Sequence, residues 1–253
     1  MPINDHFEYS LCAGNSEAIV FVHGIGGSPV QFAPMAEFLF GRGYDCMALL
    51  LPGHGSDASA FCHTPFGAWR SHIFQAIDTI AKQYRKVSLI GHSLGGLLCL
   101  EYAAANDIDG IILINTPLAF KISLKQLSVN LRVMMGKPDR DDEMIAEYRR
   151  STGISGACRW YEYPLMPRPF LHLTRHMRIA RRILGDVKAR ALVVQSCLDE
   201  TVVLNSARML RAGLANVQGE TLWLESSYHS YFPERDRMKL FSSILVFLQQ
   251  RLV

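Results

Sequence analysis

Lys86-Val87-Ser88-Leu89-Ile90-Gly91-His92-Ser93-Leu94-Gly95-Gly96-Leu97-Leu98-Cys99-Leu100-Glu101-Tyr102-Ala103-Ala104-Ala105 reads as three consecutive pieces of local structure. Residues 86–90 are short, apolar and β-branched, which predicts a buried strand. Residues 96–105 are rich in Leu and Ala, which predicts a helix. Between them, Gly91-His92-Ser93-Leu94-Gly95 fits the G-x-S-x-G pattern of a nucleophile elbow. A sharp strand-to-helix turn with serine at its apex is the context that pattern needs. The glycines have a mechanical reason, because side chains at 91 and 95 would collide with neighbouring backbone in so tight a turn.

Outward from the elbow, strand-like and helix-like segments alternate. Ala18–Val22 predicts a strand that ends in the loop His23-Gly24-Ile25-Gly26-Gly27-Ser28-Pro29. Residues 30–41 place Phe32, Met35, Ala36 and Leu39 at helical spacing, with Pro34 tolerable in a first turn. Tyr44–Leu51 is a continuous apolar strand followed by the turn-rich Pro52-Gly53-His54-Gly55-Ser56. Residues 65–84 predict a helix with Ile73, Ala76, Ile77 and Ile80 on one stripe, and residues 110–114 a strand. Near-continuous apolar strands separated by helices indicate a parallel sheet covered on both faces.

After Asn115-Thr116-Pro117 the rhythm breaks. Residues 118–184 show no convincing strand. They suggest helices near 121–135 and 140–150, a Pro-rich joint at Pro164, Pro167 and Pro169, and a helix over 171–184. The α/β pattern then returns, with strands at 191–196 and 221–224, a helix around 205–214 and an amphipathic C-terminal helix over 234–252. The expected organisation is a core of residues 1–117 and 185–253 interrupted by a helical insertion at 118–184.

Bulk properties agree with one large domain. The 253 residues are 49% hydrophobic and 19% charged, enough for a sizeable core and too apolar for global disorder. A net charge of +3 argues against nucleic acid as a partner. The six cysteines are scattered without a C-x-x-C pair, and several fall inside apolar patterns where a free thiol behaves as a small hydrophobe. That usage predicts a reducing compartment. The N-terminus shows neither a basic nor an apolar leader region, and no apolar run approaches membrane-spanning length, so the expected location is cytoplasmic.

Four motifs now stand in order: His23-Gly24-Ile25-Gly26-Gly27, Gly53-His54-Gly55, Gly91-His92-Ser93-Leu94-Gly95-Gly96, and the late pair Asp199 and His229. In these the chain resembles the α/β-hydrolase superfamily, most closely its small bacterial carboxylesterases and monoacylglycerol lipase-like serine hydrolases. The likeness runs from about residue 18 to the C-terminus. It implies the α/β-hydrolase fold: a mostly parallel central sheet of about six to seven strands, helices on both faces and a helical cap. Because few residues precede the first family strand, the fullest eight-stranded sheet is expected to lack one strand.

The resemblance implies a serine nucleophile at Ser93, an acid and then a histidine, in that chain order. Of nine histidines, His172, His176 and His229 follow the serine. The first two fall in the insertion, whereas His229 lies in the polar loop Ser226-Ser227-Tyr228-His229-Ser230 just past a strand, at the sheet edge where active sites form. Asp199-Glu200-Thr201-Val202 follows the strand at 191–196 and matches the family's D-x-x-V, favouring Asp199 as the acid with Glu200 as the alternative. Asp236 is assigned to a helix N-terminus. The main-chain N–H groups of Ile25 and Leu94 are the expected oxyanion hole.

His23, His54 and His92 lie in three different loops without metal-ligand spacing, so no metal is called for, and the resemblance implies structural work for them in those loops and no cofactor. In the insertion, Phe120, Leu124, Leu127, Leu131, Met134 and Met135 form an apolar stripe that suits either an acyl-binding wall or ordinary packing. Phe120, Leu124, Leu127 and Met134 are the candidate substrate contacts. The helix over 171–184 carries Arg175, Arg178 and Arg182 on one face, which suits a solvated surface or contact with an anionic membrane. The implied partner is a small acyl ester, of short to medium chain or a monoacylglycerol. A thioesterase or acyltransferase on the same residues, or a non-catalytic binding protein, are the alternatives.

Overall fold

The computed structural model describes residues 6–121, 143–155 and 159–250. In chain order the elements are β1 Tyr9–Leu11, β2 Glu17–Val22, a 3₁₀ turn Pro29–Phe32, α1 Ala33–Phe40, β3 Asp45–Leu49, β4 Ser56–Asp57, α2 Ala58–His63 and α3 Ala68–Ala81. There follow β5 Lys86–His92, α4 Leu94–Ala105, β6 Gly110–Ile114, α5 Glu143–Ser151, β7 Ile154–Ser155 and a 3₁₀ turn Trp160–Leu165. The chain continues through α6 Arg168–Ile183, a 3₁₀ turn Leu184–Asp186, β8 Arg190–Ser196, α7 Asn205–Gly213, β9 Gly219–Leu224 and α8 Glu234–Gln249.

Seven strands form one sheet in the order β1-β3-β2-β5-β6-β8-β9. Every pairing is parallel except the edge pair β1–β3, in which Tyr9 lies opposite Ala48. The apolar runs of the sequence are explained by burial on both faces. Along β2, Ala18, Val20 and Val22 enter one core with α3, α4 and α6, while Ile19 and Phe21 enter the other with α1 and α8. The same two-residue alternation sends Ile111 and Leu113 to the first core and Ile112 and Ile114 to the second.

Several expectations need correction. The helix expected over 65–84 begins at Ala68, because Gly67 is left-handed (φ 88°) and interrupts the backbone; a separate α2 precedes it. The Asp57 side chain caps α2 by accepting from the Ala60 N–H at 2.9 Å. The helix expected over 30–41 splits, with Pro34 in the first turn of α1. The helix expected from 171 starts at Arg168, and Pro169 sits in its first turn. Residues 118–184 do contain a strand, the two-residue β7, which pairs in parallel with β4 to make a second small sheet. Two residues are too few to show a period of two.

The helix expected near 121–135 lies outside the described residues. Among the described residues, no helix is long and apolar enough to cross a membrane.

Candidate active site

The loops at the carboxyl ends of β2, β5, β6, β8 and β9 converge at one edge of the sheet. Ser93 follows β5 with φ 53° and ψ −116°, a conformation costly for a residue with a side chain. The surrounding structure enforces it. The Ser93 N–H donates to the Ile114 carbonyl at 2.9 Å, a Cβ on Gly91 would come within 2.5 Å of the Gly95 backbone, and a Cβ on Gly95 would overlap the Val22 carbonyl oxygen. The elbow can fold only where both positions lack side chains.

The Ser93 Oγ lies 3.1 Å from His229 Nε2, and His229 Nδ1 lies 2.9 Å from Asp199 Oδ2. Asp199 is fully buried. Its Oδ1 accepts the N–H groups of Thr201 and Val202, both at 2.8 Å, and Gln195 Nε2 donates to Oδ2 at 3.3 Å. Burial works against its charge, yet His229 and these donors together hold its carboxyl below the usual carboxylate range. Burial likewise disfavours an imidazolium at His229, but the carboxylates of Asp199 and Glu200 overcome it and raise the pKa above the ordinary 6.5. With Nδ1–H donating to Asp199, Nε2 is left to accept from the serine hydroxyl.

Of the two carboxylates left open by the sequence, Asp199 meets the imidazole. Glu200 points elsewhere: its Oε2 accepts the main-chain N–H of His229 at 3.1 Å, and its Oε1 accepts from the Tyr148 hydroxyl. Asp236 lies in the first turn of α8 and accepts from the Ser226 N–H and the Ser227 hydroxyl at 2.8 and 2.7 Å. His172 and His176 lie on α6 against Phe66 and Trp69, away from the serine.

The loop after β2 packs on the elbow, since a Cβ on Gly24 would stand 3.1 Å from the Ser93 Cβ. The N–H of Leu94, at the start of α4, and that of Ile25 make no hydrogen bond to the described residues. The neighbouring Gly26 N–H is fixed by donating to His54 Nε2 at 3.1 Å. His23 ties the same loop to the next one: Nδ1 donates to the Gly24 carbonyl and Nε2 accepts the Leu51 N–H. Burial pushes His54 down to about 4, and burial with the nearby His54 holds His23 well below 6.5. Both rings are therefore neutral, as acceptors must be. Among the described residues, no three His, Cys, Asp or Glu side chains converge as metal ligands.

Two residues brace His229: Asn115, which sequence reasoning passed over, and His92, of which structural work was expected. The buried Asn115, left-handed at φ 46°, donates from Nδ2 to the His229 carbonyl at 2.8 Å and accepts the Ser196 N–H at 2.8 Å. His92 Nε2 also donates to the His229 carbonyl, at 2.8 Å. Asparagine directly after a strand was the available signal, because it tolerates a left-handed backbone. Of the candidate substrate contacts, Phe120 is half-buried against the core and bridges to Val202; Leu124, Leu127, Leu131, Met134 and Met135 lie outside the described residues.

Known proteins carry the same framework. A thermostable monoacylglycerol lipase of Bacillus sp. (strain H-257) is 24% identical over 213 residues, spanning 83% of this chain and 82% of the relative. A structure of metagenome-derived lipolytic enzymes superposes with a TM-score of 0.75 at 23% identity, over 97% of this chain and 98% of its own. The monoacylglycerol lipase of Paleococcus ferrophilus superposes with a TM-score of 0.73 at 20% identity, over 96% and 97%. These structures share the α/β-hydrolase fold, and the family profile itself matches residues 19–243; the chain belongs to the alpha/beta hydrolase family.

Proposed function

We propose that this protein is a serine esterase that cleaves short- to medium-chain acyl esters or monoacylglycerols through an acyl-enzyme on Ser93. The observation that carries the reading is the unbroken line from Asp199 through His229 to Ser93, at 2.9 and 3.1 Å, ending on a serine held at a strained turn. A serine hydroxyl is a weak nucleophile until a base takes its proton. His229 Nε2 takes it as Oγ attacks the ester carbonyl, and Asp199 fixes the tautomer and stabilises the imidazolium. The N–H groups of Ile25 and Leu94 receive the oxyanion. His229 then protonates the leaving alcohol, and in the second half it activates the water that releases the acid. No step calls for a metal or another cofactor.

Residues 118–184 are assigned as the cap over this edge. The monoacylglycerol lipase names of the relatives support the substrate class, and the cap sets the acyl chain accepted. A fluorophosphonate probe with a panel of p-nitrophenyl esters and acyl thioesters tests the reading. Wild-type protein labels on Ser93 and prefers the oxygen esters. Ser93→Ala removes labelling and lowers kcat by about 10⁴-fold or more. Full labelling of Ser93→Ala, or unchanged turnover, would end the proposal.

A further inference from the structure

Glu200 raises a question that the triad does not answer. It is almost fully buried beside Asp199, and a buried carboxylate is costly unless its charge is used. Its use is specific. One oxygen accepts the His229 N–H at 3.1 Å, and the other accepts from the Tyr148 hydroxyl, whose oxygen in turn accepts the Ser230 N–H at 3.2 Å. Two consecutive main-chain N–H groups of the histidine loop are thus captured by two side chains that bond each other. On the opposite side of the same peptide, Asn115 and His92 hold the His229 carbonyl.

Three of these four braces stand on the sheet edge. Tyr148 does not: it comes from α5, inside residues 118–184. The same helix receives a second bond from the histidine loop, Tyr231 Oη to Glu143 Oε2 at 2.8 Å. Just past its C-terminus the chain grips the other loop of the site. Gly153 N–H donates to the Gly26 carbonyl at 2.9 Å, and Ser28 Oγ donates to the Ser151 carbonyl at 3.3 Å. One short segment therefore touches both the loop bearing His229 and the loop bearing Ile25.

We infer that Tyr148 and Glu200 are a positioning pair that sets the reach of His229 toward Ser93. The inference rests on His229 being the base. Tyr148 locks Glu200 and Ser230, Glu200 holds the His229 N–H, and the imidazole stands at hydrogen-bond distance from the serine. The carbonyl side of the same residue is tied to Asn115, so the pair fixes the remaining freedom of the loop.

Among the described residues, the titratable groups bonded to or stacked on the His229 loop include Asp199, Glu200, His92 and Tyr148, with Asp236 at its start and Glu143 at its far end. Glu200 supports the positive charge on His229 as well as its position. Glu200→Gln keeps an acceptor for the His229 N–H and removes the charge, so the acid limb of kcat/KM moves to lower pH.

The test uses the full chain, with turnover expressed per active site titrated by fluorophosphonate. Tyr148→Phe keeps the ring and removes the hydroxyl. It lowers kcat about tenfold with KM changed less than about twofold and little change in melting temperature. Glu200→Gln lowers kcat and displaces the acid limb downward. The double variant costs about as much as the larger single one, as members of one unit do. Unchanged kcat per titrated site in Tyr148→Phe, or an unmoved acid limb in Glu200→Gln, overturns the pair while leaving the Ser93 reading intact. Wild-type protein that fails to label at Ser93 overturns both.

Discussion

Ser93 shows how much chemistry one backbone angle can carry. At φ 53° the serine projects from the end of β5 with its N–H spent on Ile114 and the next N–H, that of Leu94, left open. The cost of that angle is met by packing, and Gly95 is where the packing is tightest. Gly95→Ala would drive a methyl group into the Val22 carbonyl. It should destabilise the fold by about 3 kcal/mol or more, read as a lowered denaturant midpoint, because the obstacle is backbone rather than a side chain that can turn away. As the proposed base, His229 must be neutral to accept a proton; its pKa is raised above 6.5, so kcat/KM should fall as pH drops through a value above 6.5. Asp199→Asn should lower kcat by about 10⁴-fold and shift that limb toward acid. A wild-type limb below pH 6 would contradict the raised pKa. At this scale the sequence was most informative for Ser93, whose context is all within twenty residues. Asn115 and Tyr148 act on a histidine more than eighty positions away, and nothing local announces such a contact.

Among elements, α6 and α4 present a second buried pairing outside the site. His176 Nδ1 lies 2.6 Å from Glu101 Oε1, with both side chains essentially inaccessible, and Arg70 Nε approaches the other carboxylate oxygen at 3.3 Å. Glu101 belongs to the helix that begins at the elbow, so this pair pins α6 to the element that aims Ser93. His176→Ala would strand a buried carboxylate and should cost about 3 kcal/mol in a denaturant titration. A change below about 1 kcal/mol would show that Arg70 alone suffices. The long elements were legible from composition, because α4 is rich in Leu and Ala and the strands buried on both faces are continuous apolar runs. The short ones were not. β1, β4 and β7 are held by partners distant in sequence, and α2 begins at a cap, Asp57, inside a stretch that otherwise reads as turn.

Across the whole molecule, three neutral histidines stand behind the site, His23 and His54 in loops and His92 at the end of β5. His54 is pushed down to about 4 and His92 to about 3, chiefly by burial, and His23 lies well below 6.5. Each is depressed in the folded state, so below about pH 6.5 the unfolded chain binds protons that the folded chain refuses. Stability should therefore fall as pH drops from about 6.5 toward about 4, by about 1.4 kcal/mol per unit for each residue still neutral. Melting temperature followed by circular dichroism across that range reads it. His54→Gln, which keeps an acceptor for the Gly26 N–H, should flatten the slope; an unaltered slope would assign the acid sensitivity elsewhere.

The bridge between Phe120 and Val202 has a bearing on recombination. Around it the Val203 N–H donates to the Ala119 carbonyl, and the Lys121 N–H donates to the Thr201 carbonyl at 3.0 Å. The first residues past Pro117 are thus stitched to the stretch whose amides hold the Asp199 carboxylate. A chimaera that borrows the following segment from a homologue is better spliced after Lys121 than at residue 118, because the host then keeps these bonds and the amides that hold the Asp199 carboxylate stay in place.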